Sequence, residues 1–254
     1  MEKVIGILGG MGPEATLDCF GKIIKNTPAK TDREHIRVVI DSNPGIPDRI
    51  AAILGDGESP VPALVAGCRG LEKAGADFII IPCVTVHFFL SEIQAQAHLP
   101  ILSIFDSVAE AVRRELPDIR TVGLVGTIAT IKAGFFQKRL AKDNINTLLP
   151  DRAAQAKIIA AIKDIKDIRS SRTRSEITTD LIEAACSLID TRSKGAEAII
   201  AGCTEIPLVL GQEHLPVPYF DSLNILARAA IRRAGRTPVD LNGSSFRCVR
   251  NYLL

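Results

Sequence analysis

The chain has no excess of one charge, no long apolar run and no paired-cysteine motif, and each absence removes a class of protein. Its 31 lysines and arginines against 29 acidic residues leave a net charge of +2, which is no electrostatic footprint for nucleic acid or an anionic membrane. The most basic stretch, RSSRTR from Arg169, is short and reads as a solvated loop or a helix start. No apolar run approaches the ~20 residues that a membrane helix requires. The first residues run straight into an apolar strand without the charged, apolar and cleavage regions of a signal peptide. Six cysteines (Cys19, Cys68, Cys83, Cys186, Cys203 and Cys248) are scattered, without the density of a secreted disulfide scaffold. None lies in a CxxC pair, which argues against a structural zinc site. The glycine-rich stretch GGMGPE from Gly9 lacks the third glycine of a dinucleotide fingerprint, and no ribose-binding acid follows it. The expectation is a cytoplasmic protein with free thiols, no metal, no nucleic-acid partner and no membrane partner.

Hydrophobic residues make up 46% and charged residues 24% of the chain, a balance that supports an ample core. Short apolar runs alternate with longer amphipathic segments. Strands are expected at Lys3–Leu8, Ile36–Ile40, Phe78–Ile81, Ile101–Ile104, Thr121–Val125, Ala198–Ala201 and Val217–Tyr219. They are rich in Ile and Val and barely alternate, as strands buried on both faces of a parallel sheet do. Helices are expected at Pro13–Lys25, Pro60–Ala74, Ser107–Arg114, Ile131–Lys142, Arg152–Ile168, Ser175–Ser193 and Ser222–Ala234. Pro13 suits a first helical turn, and Asp106 and Asp221 suit N-caps. Strand, helix, strand in series gives an α/β fold of doubly wound parallel sheets.

The chain also repeats itself. GADFIIIPCVTVH from Gly75 matches GAEAIIAGCTEIP from Gly195, and in each a cysteine lies eight residues after the glycine. HLPILSIFDS from His98 matches HLPVPYFDS from His214, and GILGGM from Gly6 matches GLVGTI from Gly123. Three blocks in the same order make two related lobes of roughly 115 residues each. The expected division is residues 1–117 and 118–234, with Leu116-Pro117-Asp118 as linker. The helix 222–234 is a candidate to pack back on the first lobe, and residues 235–254 form a tail outside the repeat.

The repeat sets Cys83 and Cys203 at matching strand ends, which is where open parallel sheets bind ligands. A cysteine in an apolar run is ordinarily a small core residue, and Cys19, Cys68, Cys186 and Cys248 are read that way. The repeated pair is read as functional. A helix N-terminus near a thiol favours the reactive thiolate, and Thr85 and Thr204 stand within two residues as hydrogen-bonding partners. Two lobes with pseudo-twofold symmetry and a cleft between them place one thiol on each side of a bound molecule. That suits racemisation, in which one group removes a proton from carbon and the other returns one to the opposite face. His87 is read as orienting or polarising the Cys83 loop, with a structural histidine as the alternative, and Glu205 as supporting Cys203, binding a substrate ammonium group, or serving only as an exposed or capping carboxylate. His98 and His214 repeat as well, but at the far ends of their strands, and are read as structural.

These motifs resemble the aspartate/glutamate racemase family, in its cofactor-independent aspartate racemase branch, over residues 3–233. The resemblance rests on GILGGMGPEAT from Gly6, PDR ending at Arg49, PCVTVH from Pro82, GLVGTIAT from Gly123 and GCTEIPL from Gly202. It implies an isomerase that acts on a small amino acid, aspartate, glutamate or a broader set, without cofactor, in a homodimer. Cys83 and Cys203 inherit the roles of acid and base. Met11, Thr85, Thr127 and Thr204 line the cleft, Arg49 pairs with a side-chain carboxylate, and Lys166 plays a similar part, with Lys163 as the alternative.

The chain departs from the family in two places. Val84 stands where the family motif PCNTAH has an asparagine that contacts the substrate carboxylate, and Val86 stands where it has alanine. Loss of one such hydrogen bond costs on the order of 1–3 kcal/mol, enough to alter substrate preference without abolishing turnover. The competing readings are a binding or regulatory protein of the same fold that lost efficient chemistry, and a relative acting on a hydantoin or another carboxylate.

Overall fold

A computed structural model describes residues 2–167, 169–189 and 195–239. These residues pack as two compact units, one of residues 2–108 with 223–239 and the other of residues 109–222.

The first unit is built on β1 (Ile5–Gly9), α1 (Pro13–Asn26), β2 (Val38–Ser42), α2 (Arg49–Leu54), α3 (Val61–Lys73), β3 (Phe78–Ile80), α4 (Leu90–Gln94) and the start of α5 (Ile104–Glu115). Its parallel sheet has the order β2-β1-β3. The second unit contains β4 (Thr121–Gly126), α6 (Ile128–Ala133), α7 (Phe135–Ala141), β5 (Asn146–Leu148), α8 (Arg152–Lys166), α9 (Arg174–Ile189), β6 (Ala198–Gly202) and β7 (Tyr219–Asp221). Its parallel sheet has the order β5-β4-β6-β7. The helix α10 (Ser222–Arg233) leads the chain back to the first unit.

The central strands read as apolar runs because both faces are covered. Every residue of β1 and β6 is buried, and each large aliphatic side chain so removed from water stabilises the fold by about 1.5–3 kcal/mol. The sequence repeat is a structural repeat down to single bonds. Ile79 N–H donates to Pro100 O, and Ile199 N–H donates to Pro218 O, each at 2.9 Å. Gln94 Oε1 accepts from Ile101 N–H, and Gln212 Oε1 accepts from Tyr219 N–H, each at 2.8 Å. The amide groups of these two glutamines donate to Leu99 O and Val217 O.

Several expected boundaries move. The run Ile101–Ile104 makes only a single parallel bridge, Ile79 to Ile101. Ser103 Oγ then accepts from Asp106 N–H at 3.2 Å, so α5 begins at Ile104 and Asp106 lies inside its first turn rather than capping it. The helix expected over Ile131–Lys142 is two helices, because Gly134 adopts a left-handed conformation at φ 69° that side-chain-bearing residues avoid. The short elements α2, α4 and β5 lie outside the expected ones; none carries enough periodicity to stand out. RSSRTR is a helix start: Thr173 and Glu176 cap α9, and Arg172 is paired with Asp164 and Asp180.

Packing divides the chain inside α5, earlier than the Leu116-Pro117-Asp118 linker. The first residues of the expected tail are held on the first unit, where Arg236 pairs with Glu2 at 3.0 Å and Val239 N–H donates to Asn26 O at 2.8 Å. Residues 240–254, including Cys248, lie outside the described residues. Among the described residues the other five cysteines are free thiols, and no helix is long and apolar enough to cross a membrane.

Candidate active site

In the first unit, β3 ends two residues before Pro82, and the chain turns sharply. Cys83 N–H donates to Ile81 O at 2.8 Å, and a 3₁₀ turn over Val84–Phe89 follows. Cys83 is 5% exposed, and its Sγ lies 3.3 Å from Thr85 Oγ1. His87 is buried beneath the turn, with Nδ1 3.0 Å from Cys83 O and Nε2 3.4 Å from Leu102 O, and its ring meets Phe105 edge-on. Burial holds the imidazole below its ordinary pKa, against the opposing pull of the two carbonyls and Asp106. His87 therefore holds the backbone of Cys83 at the base of the turn.

Met11, in the turn after β1, is buried in the same apolar cluster as Cys83, Val86 and Phe89. Gly10 makes that turn possible: its φ is +90°, and a Cβ there would collide with the backbone of Asn43. Arg49 opens α2, which packs against the 3₁₀ turn. One guanidinium nitrogen, Nη1, donates to Ile46 O and Pro47 O, each at 3.0 Å, and Nε is buried without a hydrogen-bond partner. Val84 is 4% exposed, whereas Val86 is wholly buried in the core. Of the two departures from the family pattern, Val86 is a packing change.

In the second unit, Cys203 follows β6 directly and is likewise 5% exposed. Its thiol donates to Glu205 Oε2 at 2.9 Å. Thr204 Oγ1 donates to the same oxygen at 3.3 Å, and Lys166 Nζ, at the last residue of α8, pairs with Glu205 Oε1 at 2.9 Å. Burial pushes the Cys203 thiol well above the ordinary pKa; the negative charge of Glu205 and the hydrogen bond to it act in the same direction, and Lys166 opposes them. The thiol is therefore held protonated. Lys166 forms this pair from a half-exposed side chain, and Lys163, one turn earlier, is exposed as well.

Thr127 follows β4 and caps α6, its Oγ1 accepting from Thr130 N–H at 3.1 Å. Two residues here were not singled out from the sequence. Thr130 Oγ1 lies 2.9 Å from Thr127 Oγ1 and donates to Gly202 O, next to Cys203, at 3.2 Å. Gln155 Nε2 donates to Gly126 O at 3.0 Å. Thr130 was visible as the third residue after an N-cap threonine, and Gln155 as a polar residue in line with the buried Ile158 and Ile162 of α8.

The two repeated histidines each bond within their own unit. His98 pairs with Glu72 on the surface, and His214 Nδ1 accepts from Gly211 N–H at 2.9 Å.

The sequence profile of the family described as Asp/Glu/Hydantoin racemase matches residues 8–230. The chain is 30% identical over 236 residues to the broad specificity amino-acid racemase RacX of Bacillus subtilis, covering 90% of this chain and 96% of that protein. Among solved structures, it superposes on the aspartate racemase of Picrophilus torridus with a TM-score of 0.79 at 31% identity, covering 93% of this chain and 96% of the other. An aspartate racemase homologue from Pyrococcus horikoshii gives a TM-score of 0.72 at 28% identity, covering 93% and 100%.

Proposed function

Because this chain belongs to the Asp/Glu/Hydantoin racemase family, we propose that it racemises an amino acid with Cys83 and Cys203 as the paired acid and base, without pyridoxal phosphate. The observation that carries the reading is the equivalence of the two thiols. Each is buried, stands just past the end of a parallel strand, and contacts the side chain two residues on, Thr85 or Glu205.

On this reading the thiols act on opposite faces of one α-carbon. The thiolate of one removes the α-proton as its S–H bond forms, and the electron pair is left on carbon, in conjugation with the carboxyl group. The thiol of the other then delivers its proton to the opposite face and becomes the thiolate. The reverse reaction exchanges the roles, as a pair of like groups permits. Since burial and the neighbouring Glu205 keep Cys203 protonated, Cys203 is the resting acid. Arg49 and Lys166 bind the side-chain carboxylate of an acidic substrate; Met11, Val84, Thr85, Thr127 and Thr204 line the site. Val84 and the likeness to a broad-specificity racemase both favour a range of substrates over strict selection of aspartate. The reading also includes a cytoplasmic location and a homodimer, the latter checked by sedimentation equilibrium.

The test is exchange of the α-proton. D- and L-aspartate, glutamate, lysine and alanine are incubated with the enzyme in D₂O, and loss of the α-proton signal is followed. Deuterium should enter at least one of them. Exchange with none would end the proposal.

A further inference from the structure

The hydrogen bonds at the end of β4 leave no freedom in where one proton sits. Thr130 carries a single hydroxyl proton and contacts two oxygens, Gly202 O at 3.2 Å and Thr127 Oγ1 at 2.9 Å. The carbonyl can only accept, so it takes the Thr130 proton, and Thr127 must be the donor in the pair of hydroxyls. Thr127 also accepts from Thr130 N–H at 3.1 Å. Its proton is thus committed to Thr130 and one lone pair to the backbone, and what remains for a ligand is one lone pair.

The neighbouring Gln155 is constrained in the same direction. It is 8% exposed, and its orientation follows from donating Nε2 to Gly126 O. Its Oε1 is buried with no hydrogen-bond partner. The hydroxyl of Thr204 and the thiol of Cys203 are directed to Glu205. Gly126 and Gly202, which receive the bonds from Gln155 and Thr130, are register partners on β4 and β6. Side-chain acceptors therefore collect where the donors are already committed.

We propose that Thr130 is a positioning residue that locks Thr127 as a hydrogen-bond acceptor, so that this end of β4, with Gln155 as a second acceptor, recognises the ammonium group of the substrate and not a carboxylate. The proposal rests on the amino-acid racemase reading and assigns the group of the substrate that the second unit takes. An ammonium group offers three N–H donors and no acceptor, the complement of Thr127 Oγ1 and Gln155 Oε1. A 2-hydroxy acid presents one donor at that place, and a desamino acid none.

The test uses whichever amino acid the wild-type enzyme exchanges fastest in D₂O, with its 2-hydroxy and desamino counterparts, and measures binding by titration calorimetry. Thr130→Val frees the Thr127 proton. It should weaken binding of the amino acid by roughly tenfold, the order expected for one hydrogen bond to a charged group. Binding of the desamino acid should be unchanged or stronger. Thr130→Ser keeps the hydroxyl and should retain the wild-type ratio of affinities. Gln155→Met, which removes the second acceptor, should shift the ratio the same way as Thr130→Val and keeps the test open if that variant does not fold. Equal weakening of all three ligands, or a Thr130→Ser enzyme with the ratio of Thr130→Val, would overturn the proposal and leave the racemase reading intact. Failure of the wild-type enzyme to exchange any amino acid would remove both.

Discussion

Cys203 and Glu205 share a proton across 2.9 Å, whereas the equivalent thiol, Cys83, faces the hydroxyl of Thr85 at 3.3 Å. One half of the molecule thus sets its thiol against a carboxylate that a lysine pairs with, and the other sets its thiol against a hydroxyl. The backbone repeats, but the groups that meet the two sulfurs do not. On the proposed two-thiol reading, Cys203 is the acid at rest.

Replacing either thiol should remove racemisation. Cys83→Ala and Cys203→Ala should each lower the rate by about 10³-fold or more, within the range of lost acid–base catalysis. Cys186→Ala, on the core side of α9, should stay within about twofold of wild type. Optical rotation against time for the three variants checks this, and a single active-site variant that still racemises at the normal rate would break the two-base assignment.

Glu205 and Lys166 should move the Cys203 titration in opposite directions. Glu205 raises the thiol pKa and Lys166 lowers it. Glu205→Gln should therefore bring thiolate formation to lower pH, and Lys166→Met should send it higher. Ultraviolet thiolate absorbance followed through an alkaline titration, in a Cys83→Ala background, reads the sign directly. Turnover should fall in both variants, by about 10²-fold for Glu205→Gln.

Restoring a polar side chain beside Cys83 should sharpen selection of acidic substrates. Val84→Asn should lower KM for aspartate by about tenfold relative to lysine, with kcat within about twofold. Parallel kinetics on the two amino acids test this, and an unchanged ratio would mean that the carboxylate is held elsewhere.

His87 should make the fold sensitive to mild acid. Burial lowers its pKa below the ordinary 6.5, so the unfolded chain takes up the proton first. The stability it contributes is full above about pH 6.5 and is lost as the pH falls toward the folded value. Urea unfolding at a series of pH values should show this decline in wild type and a flatter profile in His87→Gln.

Much of this architecture is legible in the residues alone. Ile- and Val-rich runs without alternation announce buried parallel strands, and Cys83 and Cys203 stand out because their neighbours repeat. The sequence is silent where one local preference overrides another. Ile101–Ile104 has strand composition, but Ser103 caps a helix and takes the last residue away. Gly134 divides an apolar stripe that periodicity alone would continue. Thr130 and Gln155 escape because their importance lies in which carbonyls they meet, and those carbonyls come from strands distant in sequence.

Gln94 and Gln212 carry a consequence for how the two halves were free to change. Each spans the approach to its fourth strand position with bonds from one amide to the backbone. Spacing beside the thiol-bearing strand is held whether that position is a single bridge, as at Ile101, or a full strand, as at Tyr219–Asp221. With these bonds made from outside the loop, the side chains that meet the sulfurs, Thr85 and Glu205, do not have to hold the strand spacing themselves. Ancestral twins can then become unlike partners, one with a hydroxyl at its thiol and one with a carboxylate, without either sulfur leaving its station.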